Sequence, residues 1–203
     1  MALKVISLTD LIRTQTEESI TELLYSFSTI NSDSSGAVDV ENFIHTKAIS
    51  FEKMSLSRTY LIIATYKKRP YLAGYFSISN RPLIIPKKHF QRMTTTLQKR
   101  LMGIGHRTYQ QTYEIKGYLL GQLGKNYCDL AIKAKGINGT DILALAYEKV
   151  LEAHRIVGGR ILYLECEDND KIKKFYTTNG FRELPEYKSD NGYCIMVKKI
   201  EDI

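Results

Sequence analysis

The sequence predicts a mixed α/β fold whose central sheet is mostly antiparallel and flanked by helices. Two observations carry this. Segments of helical period alternate with β-branched and aromatic segments along the chain, as in α/β proteins. Strand pairs joined by short turns are present as well, and a hairpin makes its strands antiparallel, which excludes a doubly wound sheet. At 203 residues, 43% hydrophobic and 25% charged, the chain supports an ordinary core. We expect a single domain over 1–203 with a loop-rich insert at 81–112.

In 16–27, Ile20, Leu23, Leu24 and Phe27 share a helical face, and Glu17 and Glu18 suit the positive N-terminal end. Residues 31–36 (NSDSSG) are a loop by composition. Residues 38–54 predict a second helix, with Val40, Phe43, Ile44, Ala48 and Phe51 on one side. Residues 59–66 (TYLIIATY) predict a strand, 67–70 a charged turn and 71–79 (YLAGYFSIS) the returning strand. Pro82 and Pro86 interrupt the insert, which carries a polar helical run near 90–101. Residues 113–126 read as one long strand, in which Gly121 and Gly124 invite a bulge or a close backbone approach. An amphipathic helix is expected over 138–157, a buried strand over 160–166 and a short helix over 168–179, stopped by Gly180. Residues 181–187 and 192–200 supply the closing strands.

The first ten residues hold one lysine and no long apolar stretch, unlike a signal peptide. The apolar run 61–64 is far too short to cross a bilayer, so no membrane partner is expected. Cys128, Cys166 and Cys194 have no metal-ligand spacing and suit free thiols in a reducing, cytoplasmic compartment. The histidines show no metal or triad spacing either. The net charge of +7 is unevenly placed: residues 61–135 hold 14 Lys and Arg against 2 Asp and Glu, a net of +12. A polyanionic partner fits that segment, and so does a solubilising surface.

The segment carrying chemistry is strand, glycine loop, helix, strand, short helix. Its loop runs Lys133-Ala134-Lys135-Gly136-Ile137-Asn138-Gly139-Thr140. Glycines let backbone N–H groups converge, the helix adds its positive end, and Lys133 and Lys135 add charge; together these suit a diphosphate. The same residues could be a plain helix-starting turn. The spacing is neither a Walker A loop nor a dinucleotide fingerprint.

The order of these elements resembles the acetyl-CoA-binding core of the GNAT superfamily of N-acetyltransferases. Leu119-Leu120-Gly121-Gln122-Leu123-Gly124-Lys125-Asn126 is similar to the family's fourth strand. Residues 133–138 stand at its Q/R-x-x-G-x-G/A loop, Tyr163-Leu164-Glu165-Cys166 at its fifth strand, and Asn169 to Tyr176 with Asn179-Gly180-Phe181 at its N-x6-Y…GF segment. Gly74-Tyr75-Phe76-Ser77 fits the strand before the core. Lys133 replaces the usual Gln or Arg, and Asn138 the final Gly or Ala, with Gly139 next.

The resemblance implies acetyl-CoA as cosubstrate, an amine as acceptor, and room for a homodimer. It places the cofactor contacts at Leu123, Lys125, Lys133, Lys135, Gly136, Asn138, Gly139, Thr140 and Asn169. A backbone N–H near 123–125 would stabilise the oxyanion. Tyr176 would be the general acid for the thiolate, or else an aromatic packed like Phe175. Asn169 would contact cofactor, cap a helix, or both. Glu114, Glu165 and Glu167 are candidate bases, each equally a structural charge. A lysine amine costs about 4–5 kcal/mol to deprotonate at neutral pH, an α-amine about 1 kcal/mol, so a site without a strong base suits an α-amine.

The sequence leaves three readings of function. One is an N-acetyltransferase of an unidentified, and in one version anionic, amine. The second is a toxin-like acetyltransferase of aminoacyl-tRNA α-amines, which the basic middle suits. The chain is expected to be longer than those toxins, and Gln122 stands where their strand carries arginine. The third is a non-catalytic acyl-CoA-binding module.

Overall fold

The chain begins with three elements, β1 (Lys4–Ser7), α1 (Leu8–Thr14) and α2 (Glu17–Tyr25), in a computed structural model that describes residues 3–30, 35–102 and 111–203. Next come α3 (Ser35–Asn42), a π-helical turn (Phe43–Lys47), α4 (Ala48–Lys53), β2 (Arg58–Tyr66) and β3 (Arg69–Ser79). The insert region holds β4 (Leu83–Pro86), α5 (Lys87–Phe90) and α6 (Thr95–Met102), and leads into β5 (Thr112–Ile115) and β6 (Gly117–Lys125). The remaining elements are α7 (Asp129–Ala134), α8 (Gly139–Val157), β7 (Ile161–Cys166), α9 (Asp170–Thr178), β8 (Arg182–Lys188) and β9 (Cys194–Lys199). Parts of the expected loop at 31–36 and of the insert at 81–112 lie outside the described residues. The strands form a mixed, mostly antiparallel sheet flanked by helices. The described chain divides into two compact units: Met1–Ser79 with Gly121–Glu148, and Asn80–Leu120 with Lys149–Ile203.

In the first unit β1 pairs antiparallel with β2, and β2 with β3. The β2–β3 turn consists of Lys67 and Lys68, with φ of 47° and 65°. Hairpin twist demands such left-handed residues and Asn-Gly meets it without strain, whereas each lysine costs about 1–2 kcal/mol there. Leu8, Ile20, Phe27, Ile44, Leu61 and Tyr75 lie in the buried core beneath the helices. The helix expected over 38–54 is broken into α3, a π-helical turn and α4. The Tyr75 hydroxyl donates to the Val40 carbonyl at 2.5 Å, and the wide turn begins three residues later. Beside β3 runs the second half of β6. A Cβ on Gly74 would lie 2.7 Å from the Gly124 carbonyl oxygen, and one on Gly124 would lie 2.7 Å from Phe27 Cζ. The close approach expected of the glycines is thus made at Gly124; at Gly121 the nearest atom is 3.9 Å away.

In the second unit the first half of β6 runs parallel to β7, from Gly117↔Ile161 to Leu119↔Tyr163. β9 pairs antiparallel with both β7 and β8. β4 and β5 form their own antiparallel pair. Leu83, Phe90, Leu101, Ile161, Tyr163 and Val197 belong to the core here. The single strand expected over 113–126 is two strands. At the break the Lys116 carbonyl accepts the Arg160 N–H at 2.8 Å, and any Cβ on Gly117 would overlap the Ile161 carbonyl. Gly180 (φ 86°) ends α9, where the buried Lys198 donates to the Asn179 carbonyl at 3.0 Å.

Candidate active site

β6 ends at Lys125, and Asn126, which is 1% exposed, fixes the path of the chain beyond it. The Asn126 Oδ1 accepts the N–H groups of Ser28 (3.0 Å) and Cys128 (2.9 Å). Its Nδ2 donates to the carbonyls of Leu72 (2.7 Å) and Ser26 (3.0 Å). One amide therefore ties the segment after α2, β3 and the start of α7 together, with no polar atom left over.

From there α7 turns into the glycine loop through Lys135, whose backbone is left-handed (φ 48°, ψ 33°). Ile137 buries its side chain and anchors the loop. Asn138 then starts α8 in a reciprocal cap: its Oδ1 accepts the Asp141 N–H at 3.0 Å, and the Asp141 carboxylate accepts the Asn138 N–H at 2.9 Å. The cap uses the third N–H of α8. Those of Gly139 and Thr140 have no intrahelical acceptor and carry the positive end of a long helix.

A cleft of about 790 Å³ opens in the first unit at this loop. Its walls are residues 28–30, 125–127, 135–138, one side of α7 and Asp141. Lys125 and Lys135 bring positive charge; the Lys125 ammonium also sits 5.2 Å from the Tyr127 ring centroid. Thr29 is held by Glu41 of α3, whose carboxylate accepts its N–H at 2.7 Å and its hydroxyl at 2.9 Å. The Thr29 N–H, chiefly, holds the Glu41 carboxyl below its ordinary pKa. His45 is tied to the Phe27 carbonyl at 3.0 Å and stacks on Tyr25.

Of the expected cofactor residues, Lys125, Lys135, Gly136 and Asn138 line this one cleft. Gly139 and Thr140 form the first turn of α8, Leu123 lies on β6, and Lys133 is exposed on α7. Asn169 and Tyr176 belong to the second unit, at opposite ends of α9. The Asn169 carboxamide caps that helix, accepting the N–H groups of Lys171 (3.0 Å) and Ile172 (3.3 Å). Tyr176 is half-buried, edge-on to Phe175 and Phe181. Among the candidate bases, Glu114 pairs with Lys116 at 2.7 Å, and Glu165 is half-buried on β7. Among the described residues no group of three or more His, Cys, Asp and Glu could hold a metal. Nor is any described helix long and apolar enough to cross a membrane. Asn126 stood at the end of the recognised fourth-strand segment, but its bonds and the 28–30 wall had no sequence signal, since only the fold brings them beside the loop.

Solved structures match this arrangement along almost its whole length. AtaT complexed with acetyl-methionyl-tRNAfMet superposes with a TM-score of 0.64 at 18% identity, over 98% of this chain and 96% of that one. The chain has the GNAT fold. A tyrosine-to-phenylalanine variant of KacT matches with a TM-score of 0.61 at 18% identity, over 99% of this chain and 96% of that one. The AtaT toxin, in a similar variant bound to the C-terminus of the antitoxin AtaR and acetyl-CoA, gives 0.60 at 17% identity, over 98% and 94%. No protein-family model and no curated protein matches the sequence. In this GNAT fold β6 and β7 pair in parallel, and α8 lies between them in sequence. The Gln122 side chain on β6 donates to Asp39 at 2.9 Å.

Proposed function

We propose that the protein is an acyl-CoA-dependent N-acetyltransferase whose first-unit cleft holds the diphosphate of acetyl-CoA. The observation that carries this reading is the start of α8. A reciprocal cap of Asn138 and Asp141 fixes that helix start, whose first N–H groups have no intrahelical acceptor, beside a cleft of about 790 Å³ lined by Lys125, Lys135 and Gly136.

In the proposed reaction a neutral amine attacks the thioester carbon. The carbonyl oxygen gains negative charge and is met by a backbone N–H at 123–125. The tetrahedral centre collapses with loss of the C–S bond, and the CoA thiolate takes the proton of the Tyr176 hydroxyl. The proton released by the acylated nitrogen leaves by solvent and restores the phenol. Leu123, Lys133, Gly139, Thr140 and Asn169 complete the proposed cofactor contacts.

A second reading specifies the acceptor as the α-amine of an aminoacyl-tRNA. It is favoured by the likeness to AtaT, seen in complex with acetyl-methionyl-tRNAfMet, and by the +12 balance of residues 61–135. A cytoplasmic location and a homodimer are compatible with both readings.

Calorimetry tests the cleft assignment. Acetyl-CoA is expected to bind 1:1, and Gly136→Glu, which places bulk and negative charge at the loop, to weaken it at least roughly tenfold. Equal affinity of a folded Gly136→Glu protein would move the cofactor elsewhere.

A further inference from the structure

Two of the three cysteines stand face to face. Cys166 is the last residue of β7 and Cys194 the first of β9, and they are direct partners in the antiparallel register. Directly opposite residues share a face of the sheet, with Cα atoms about 4.5–5.5 Å apart, inside the roughly 4.4–6.8 Å that a disulfide spans. Both are free thiols; Cys166 is half-buried and Cys194 buried. The third, Cys128, lies before α7 in the other unit and has no place in this pair.

We propose that Cys166 and Cys194 form a redox couple that a low-molecular-weight disulfide such as oxidised glutathione closes into a cross-strand disulfide. The more exposed Cys166 sulfur attacks the oxidant, forming a mixed disulfide and releasing one glutathione thiol. Cys194 then attacks the Cys166 sulfur, and a second glutathione thiol leaves. The protein loses two hydrogens and the oxidant gains them.

The surroundings set the speed. Burial pushes the Cys166 thiol up to about 12 and the Cys194 thiol to about 11. Glu183, which accepts a hydrogen bond from the Cys194 thiol, and Asp168 also raise Cys194, while Lys173 opposes them. Lys188 faces Cys194 from β8 and is paired with Asp168 at 3.0 Å. Little thiolate exists at neutral pH, so closure is slow and quickens about tenfold per pH unit below the thiol pKa. Thiols of high pKa are also poor leaving groups, so the closed bridge is slow to reopen. This is a latch on the strand end that leads into α9, not a fast switch.

The test incubates the reduced full-length protein with oxidised glutathione at pH 7, 8 and 9, then alkylates it after unfolding in acid. The expected product carries one alkylated thiol, at Cys128, and a peptide linking Cys166 to Cys194. Its formation rate should rise about tenfold from pH 7 to pH 8, and its Tm by roughly 6–12 °C over the reduced form. Cys194→Ser should stop at glutathione on Cys166. The proposal is overturned if three thiols remain alkylatable at pH 9, if glutathione stays on wild-type Cys166, or if the link joins two chains. Should Cys194→Ser fail to fold, the wild-type peptide map decides alone.

Discussion

Asn126 uses both donors and both acceptor positions of its amide on the main chain of three separate segments. Replacing it by alanine removes the partners of two carbonyls and two N–H groups that are buried or partly buried, which should cost about 2–4 kcal/mol and lower Tm by roughly 10 °C in a thermal scan. Nothing in the local sequence announces this: its partners lie up to 100 positions away. Glu41 gives a pH-dependent counterpart. Its carboxyl titrates below the ordinary glutamate value in the folded chain, so its contribution is fully present above about pH 4.3 and is lost as pH falls through the lowered folded value. Stability to urea should therefore fall more between pH 5 and pH 3 for wild type than for Glu41→Gln; parallel curves would show that the Glu41 bonds to Thr29 do not stabilise the fold. Tyr176 was legible by its place in the N-x6-Y segment, yet its two ring contacts equally suit packing. Tyr176→Phe keeps the ring and deletes the proton. If the hydroxyl is the acid, kcat falls roughly tenfold or more with little change in KM for acetyl-CoA. An unchanged kcat, with chemistry rate-limiting, returns Tyr176 to packing.

At the level of elements, legibility tracked length and periodicity. α2 and α8 bury one regular face and were readable, as was the hairpin of β2 and β3. β1 and α5 span four residues each and α7 six, too short for a period to show. The π-helical turn and the break between β5 and β6 lie beside contacts with Tyr75 and Ile161, which no local pattern contains. The glycine loop was marked in the sequence by Gly136 and Gly139, but its left-handed residue is Lys135, which no turn pattern announces. The 28–30 wall was not marked, because it joins the cleft only through Asn126. The glycines of β6 offer a sharp check. Gly124→Ala forces a methyl to within 2.7 Å of Phe27 and Val40, and should cost about 1–3 kcal/mol or prevent folding. Gly121→Ala meets nothing nearer than 3.9 Å and should stay within about 0.5 kcal/mol of wild type.

Over the whole molecule, positive charge concentrates in residues 61–135. Lys67 and Lys68 keep it at a hairpin tip despite left-handed backbones, and Lys87 and Lys88 expose it on α5. If this charge meets an RNA acceptor, changing Lys67, Lys68, Arg69, Lys87 and Lys88 to Gln should raise the acceptor KM and flatten its salt dependence. Acetyl-CoA affinity should stay constant. Identical acceptor kinetics at low salt would make these residues a solubilising surface. The most direct test of the account is amine-dependent release of CoA thiol from acetyl-CoA, monitored with a panel of amines that includes aminoacyl-tRNAs. Release matched one-for-one by an N-acetylated product is the predicted result. Tight acetyl-CoA binding with no release above spontaneous hydrolysis, for any amine, would contradict it and leave a cofactor-binding module.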